Sequence, residues 1–322
     1  MAHINIVILH GIGKNEIGYA DDLVKGIEKE FNTFLERITG QADNGTVKLI
    51  FKPIVWDDIL DRNQGQLKVI LERALAQKQR ISFLRFWTGI GILPIAIAIW
   101  LFVAVFKHPV ILLIAALISG YLLYRFGTKL YYQLRTGFAS EFVMDIIGYL
   151  NRDAQKMIQD RIKEDLKSIN GDKEPVTFIA HSLGTVIASD FIWDRQNEKD
   201  FGDFKLSNFF TMGSPIALFA LRWGAELFNK PIRMDDPNGC WINILDKDDP
   251  IAYPLKELNK EYKHAVLADE EINVGPLGVA HVKYWKSEQV HKIIAHKLAK
   301  DWVRMNGKNV LRKSTSKIIP PN

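Results

Sequence analysis

The chain has a single cysteine, Cys240, among 322 residues. That excludes an internal disulfide framework and fits a reducing compartment. No internal repeat or low-complexity segment interrupts it, which sets repeat architectures aside. The N-terminus enters a strand-like run at Ile4 with no basic segment, apolar stretch and small-residue cleavage site ahead of it, so no signal peptide is expected. Acidic residues stop at Asp301, leaving Arg304, Lys308, Arg312, Lys313 and Lys317 unbalanced towards the C-terminus. The net charge of +5 is modest. Nothing resembles a nucleic-acid module, so the basic tail, 306–322, points to lipid headgroups or to no partner at all.

What is present centres on Val176-Thr177-Phe178-Ile179-Ala180-His181-Ser182-Leu183-Gly184. An apolar, β-branched run stops at a serine between small residues, and a helix-like segment, Thr185 to Trp193, follows at once. A strand, a tight turn and a helix in that order place Ser182 at the turn. Strand and helix backbones crowd there, so the residues two before and two after must be small, and they are Ala180 and Gly184. The turn lifts the hydroxyl above the sheet edge and aims the Leu183 N–H at a carbonyl under attack. The alternative is a buried serine in an ordinary strand–helix junction.

Ile4 to Leu9 reads as a short buried strand, and it runs into His10-Gly11-Ile12-Gly13. Glycines allow a sharp turn with an exposed N–H, and such a loop supplies the second donor of an oxyanion hole. Ile12 is expected in that role, with Gly13 as the alternative. A helix is expected over Ala20 to Ile38, with Leu23, Ile27, Phe31 and Leu35 on one face. Val47 to Val55 reads as a second strand. A helix from Trp56-Asp57-Asp58 is expected to reach about Arg80. Further on, the spacing predicts one long helix from Phe138 to about Leu166, with a stripe of Phe142, Ile146, Leu150, Met157 and Ile162. Strands are expected at Asn208–Met212 and Trp241–Leu245, with a weak edge strand at Val266–Val274. Helices are expected from Ile216 to Phe228, capping the pocket, and from Tyr284 to Met305.

Between these lies a change of composition. Phe86 to Phe106 spans 21 residues without a charge, about 31 Å as a helix and long enough for a hydrocarbon core. After Lys107-His108-Pro109, Val110 to Tyr124 is uncharged again but only about 22 Å long. Trp87, Trp100, Tyr121, Tyr124, Tyr131 and Tyr132 supply interface-type aromatics. The reading is an inserted membrane hairpin over 81–135, spanning or lying partly in one leaflet; a buried core hairpin is the soluble alternative. Lys68, Arg73, Lys78, Arg80 and Arg85 precede it, and Arg125, Lys129 and Arg135 follow it. The connector carries Lys107 alone, so both ends and the rest of the chain are expected on the cytoplasmic side.

Strands alternating with helices imply a mostly parallel sheet, whose site lies at the C-terminal ends of the strands. A serine hydroxyl needs a base, and the base needs an acid to orient it. Of the eight histidines, His10 and His181 belong to the loop and the turn, where structural hydrogen bonding is expected. His281, in the loop 275–281 before the last helix, is preferred as base over His264. The acid is expected after the Trp241–Leu245 strand, with Asp249 preferred to Asp246 and Asp248 read as a solvated charge. Ser214 lacks the small-x-Ser-x-small frame and reads as a turn residue near the site.

Four stretches together resemble the lipase/esterase branch of the α/β-hydrolase superfamily: Leu9-His10-Gly11-Ile12-Gly13, Ala180-His181-Ser182-Leu183-Gly184, Asp248-Asp249-Pro250-Ile251-Ala252-Tyr253 and Ala280-His281-Val282-Lys283-Tyr284-Trp285. The resemblance covers the chain outside Phe86 to Arg135. It implies a reduced hydrolase sheet of about six strands beginning at the family's third, in a discontinuous catalytic domain of 1–80 and 136–305. It maps the nucleophile to Ser182, the base to His281 and the acid to Asp249. Ala180 in place of glycine and the inserted hairpin depart from the family pattern. The implied activity is hydrolysis of lipid-like acyl esters at a bilayer, with no metal and no organic cofactor. A thioesterase, an acyltransferase and an inactive membrane-anchored scaffold are the alternatives.

Overall fold

A computed structural model describes residues 2–12, 16, 18–40, 47–63, 121, 146, 148–169, 174–197, 204–223, 232–276 and 279–315. The chain divides into two compact units, 1–59 with 150–322, and 60–149. Nearly all described residues belong to the first.

Six strands build that unit: β1 (Ala2–Leu9), β2 (Val47–Ile54), β3 (Pro175–His181), β4 (Lys205–Met212), β5 (Cys240–Asp246) and β6 (Val266–Ile272). They pair in the order β2-β1-β3-β4-β5-β6, and every pairing is parallel. Parallel strands covered on both faces bury both sets of alternating side chains, and Ile6, Val7, Ile8 and Leu9 are all fully buried. The even-numbered side chains Ile4, Ile6 and Ile8 join Ile179, Phe210, Ile242 and Ile244 under two helices, α1 (Asp21–Thr39) and α8 (Glu288–Thr315). On β3, Phe178 points to the opposite face and meets Phe191 of α4 (Leu183–Asn197), ring centroids 5.9 Å apart.

Chain order reverses at β1: the first crossover goes outward to β2, and the chain then returns past β1 to β3. Such a switch point opens a crevice at the C-terminal ends of the two central strands. The loop after β1 and the turn after β3 therefore face one another.

Several local expectations are corrected. The long helix from Phe138 is interrupted. Gly148 and Tyr149 are helical, Leu150 turns, and α3 (Arg152–Ser168) starts afresh with the Asn151 side chain accepting from Asp153 N–H at 2.9 Å. The cap resets the register. Ala154, Ile158, Ile162 and Leu166 form the buried stripe, and Met157 is exposed. His281 lies not in a loop but in a short helix, α7 (Ala280–Lys283), followed by a tight 3₁₀ turn at Tyr284–Lys286. The last helix begins only at Glu288 and runs on to Thr315. A helix absent from the sequence reading, α6 (Lys260–Ala265), enters β6 with Asn259 as its cap. Helices α2 (Asp57–Asn63) and α5 (Ile216–Trp223) begin as expected; residues 64–80 and 224–228 lie outside the described residues. So does the expected hairpin over 81–135, apart from Tyr121. Among the described residues, no helix is long and apolar enough to cross a membrane.

Candidate active site

Ser182 occupies the turn between β3 and α4 with φ +54°, the one positive φ among the described non-glycine residues. A left-handed conformation costs such a residue about 1–2 kcal/mol, so the surroundings must hold it. The Ser182 N–H donates to Met212 O at 3.0 Å, and Thr185 donates to Ser182 O from its N–H at 2.9 Å and its hydroxyl at 2.7 Å. The Thr185 hydroxyl has spent its one proton there, so Ser214 donates to it at 2.9 Å. Ser214 is thus a buried brace of the turn. Gly184 is small by necessity, because a β-carbon there would lie 2.2 Å from His10 O.

Two residues distant in the sequence, one in the loop after β5 and one in α7, complete the cluster. His281 Nε2 lies 2.8 Å from Ser182 Oγ, and His281 Nδ1 lies 2.8 Å from Asp249 Oδ2. A carboxylate accepts only, so Nδ1 carries the proton and Nε2 presents its lone pair to the serine hydroxyl. Asp249 Oδ1 accepts from Ile251 N–H at 3.1 Å. Burial pushes the Asp249 carboxyl up, but His281, Ile251 and the Tyr284 hydroxyl outweigh it and hold the group below the ordinary carboxylate value.

The other candidate acids and base stand elsewhere. Asp246 Oδ2 accepts from Val274 N–H at 2.6 Å, and Asp246 Oδ1 from Asp248 N–H at 2.9 Å. It closes the loop after β6 rather than facing the imidazole. Asp248 is half-buried beside it. His264 sits on α6, at the N-terminal end of β6, and hence at the sheet edge opposite Ser182.

The loop after β1 presses on the serine. A β-carbon on Gly11 would lie 2.4 Å from Ser182 Cβ and 3.1 Å from Ser182 Oγ. Ile12 follows directly, half-buried, and Leu183 opens α4 with its N–H in the unpaired first turn. Gly13 lies outside the described residues. The two flanking histidines are structural. His10 donates from Nδ1 to Gly11 O at 2.8 Å, accepts at Nε2 from Trp56 N–H at 3.2 Å and stacks on the Trp56 ring at 4.7 Å. Burial lowers it to about 4. His181 donates from Nε2 to His281 O at 2.7 Å, and burial with His281 nearby pushes it down to about 3. Both rings are neutral at ordinary pH and hold the backbone around the site.

Comparison with family models, curated proteins and solved structures finds no match for this chain. Its likeness rests on architecture alone: a parallel six-stranded sheet with helices on both faces is compatible with an α/β-hydrolase-like fold.

Two contributors were not evident from the sequence. The Tyr284 hydroxyl is 3.0 Å from Asp249 Oδ2, yet Tyr284 reads as an ordinary helix-start residue. Gly213 has φ +57°, and a β-carbon there would lie 2.9 Å from the Tyr284 ring, 3.0 Å from Asp249 Oδ2 and 3.2 Å from His281 Nδ1. The one available signal was Gly213-Ser214-Pro215 directly after a strand. Among the described residues, no group of three or more His, Cys, Asp or Glu side chains is placed to hold a metal ion.

Proposed function

We propose that the chain is a serine hydrolase of carboxylic esters working through an acyl-enzyme on Ser182. The observation that carries this is the imidazole of His281, held at 2.8 Å from both Ser182 Oγ and Asp249 Oδ2. His281 Nε2 takes the hydroxyl proton as Oγ attacks the ester carbonyl. Negative charge gathers on the carbonyl oxygen and is met by the Leu183 and Ile12 N–H groups. The imidazolium then protonates the leaving alcohol, water activated by the same nitrogen attacks the acyl-enzyme, and Ser182 is restored. Asp249 stays ionised throughout and keeps His281 in the Nδ1–H tautomer.

The reading extends to lipid-like substrates drawn from a bilayer, with the catalytic unit on the cytoplasmic side. Support comes from the uncharged run Phe86 to Phe106 and the basic residues on both its flanks.

The test is hydrolysis of esters of graded acyl length by detergent-purified protein, with Ser182→Ala as control. Turnover that rises with chain length and is lost in the variant is expected. Turnover equal in both proteins would refute the mechanism, and a preference for acetate over long acyl chains would refute the lipid assignment.

A further inference from the structure

The Tyr284 hydroxyl is buried between two partners, and their chemistry fixes where its proton points. It lies 2.9 Å from Asp246 N and 3.0 Å from Asp249 Oδ2. A backbone amide can only donate, so the phenol oxygen accepts there, and its single proton goes to the carboxylate. Asp249 Oδ2 therefore receives two donors, Tyr284 Oη–H and His281 Nδ1–H. Both come from one stretch of chain, because Tyr284 follows His281 by three residues, a single helical turn. The ring has no freedom to swing away: it is fully buried, and Gly213 closes on it from the end of β4.

Asp249 from the β5 exit and His181 from the end of β3 face the His281 ring, with His10 near His181, and Asp246 and Asp249 face the Tyr284 phenol. Burial and the neighbouring Asp249 carboxylate hold the Tyr284 phenol above its ordinary value, so it is a donor at every working pH.

We propose that Tyr284 is a positioning residue that sets the basicity of His281 by sharing the Asp249 oxygen with it. Each donor on Oδ2 draws off charge that the other would use. With the phenol in place, the carboxylate holds the imidazolium less tightly, and the base stays neutral to lower pH. Without it, Asp249 Oδ2 gives its full charge to His281, and the imidazole retains its proton to higher pH. The phenol also fixes the side of the carboxylate that meets Nδ1. This inference rests on the proposed hydrolase reading, and the experiment separates the two.

The measurement is the rate of inactivation by a fluorophosphonate across pH. In this reaction Ser182 Oγ bonds to phosphorus, fluoride leaves and the Oγ proton passes to His281 Nε2, so the acid limb reports the base. Tyr284→Phe is expected to move that limb up by about half a pH unit. A fluorotyrosine at position 284, of nearly the same shape but a stronger donor, is expected to move it down. It also keeps the question answerable if Tyr284→Phe does not fold. Wild-type protein that reacts at Ser182 while the limb stays unmoved in the variants overturns the role of Tyr284 and leaves the hydrolase intact. Wild-type protein that does not react overturns both.

Discussion

Gly213 closes directly on Asp249: a β-carbon on the glycine would lie 3.0 Å from the carboxylate Oδ2. The glycine also sits at φ +57°, where a side chain is strained whatever the space. Gly213→Ala must therefore displace the Tyr284 ring and press Asp249 and His281 by a few tenths of an ångström. An activity loss of about 10-fold is expected, since displacement of a catalytic group by a full ångström costs about 100-fold and the shift here is a fraction of that. Stability should fall by about 1 kcal/mol from the backbone term. Steady-state kinetics with thermal unfolding separates the two effects; full activity would refute the contact.

Gly11 makes the corresponding contact on the other side of the serine, with a β-carbon placed 2.4 Å from Ser182 Cβ. Gly11→Ala must move the loop and take the Ile12 N–H away from the crevice. A loss of about 100-fold or more in kcat is expected, the usual effect of removing an oxyanion donor. Retained kcat would show that this loop does not serve the transition state.

Asp249 and Asp246 should separate cleanly. Asp249→Asn no longer dictates the His281 tautomer, and kcat should fall about 10⁴-fold with stability little changed. Asp246→Ala strands the Val274 and Asp248 N–H groups, which now donate to it. It should cost about 1–3 kcal/mol of stability. Kinetics and urea unfolding of both variants check the division, and the reverse pattern would exchange their roles.

Acid should destabilise the fold through two rings that the reaction does not use. His10 is lowered from 6.5 to about 4 and His181 to about 3, both by burial. In this window the unfolded chain binds protons that the folded chain does not. Their contribution is complete above pH 6.5 and is lost as pH falls towards about 4. Each histidine should add a slope of about 1.4 kcal/mol per pH unit. Asp249, also depressed, acts in the same direction at lower pH, its contribution being lost as pH falls through its folded value. Urea midpoints measured from neutrality down to about pH 5 test this; a flat response would contradict the burial of these rings.

How much of this could be read from the chain depends on how local each signal is. The strands announce themselves, because Ile4–Leu9 and Val176–Ala180 are apolar on both faces but for Asn5 and Thr177, as a covered parallel sheet demands. Ser182 and Gly184 are legible because the crowding at a strand–helix turn acts within four residues. The burial of Ile158 and the exposure of Met157 were not legible, because the register depends on where Asn151 caps α3, and periodicity alone runs through that break. Gly213 and Tyr284 were not legible either. Their meeting at Asp249 joins the end of β4 to the turn before α8, and no spacing in the sequence encodes a contact between elements so far apart.

The most direct test of the central claim is where a fluorophosphonate attaches. Peptide mapping by mass spectrometry should find the adduct on Ser182, in native protein only, and find none in Ser182→Ala or in His281→Ala. An adduct on another serine, Ser214 included, or labelling that survives both substitutions, would contradict the account.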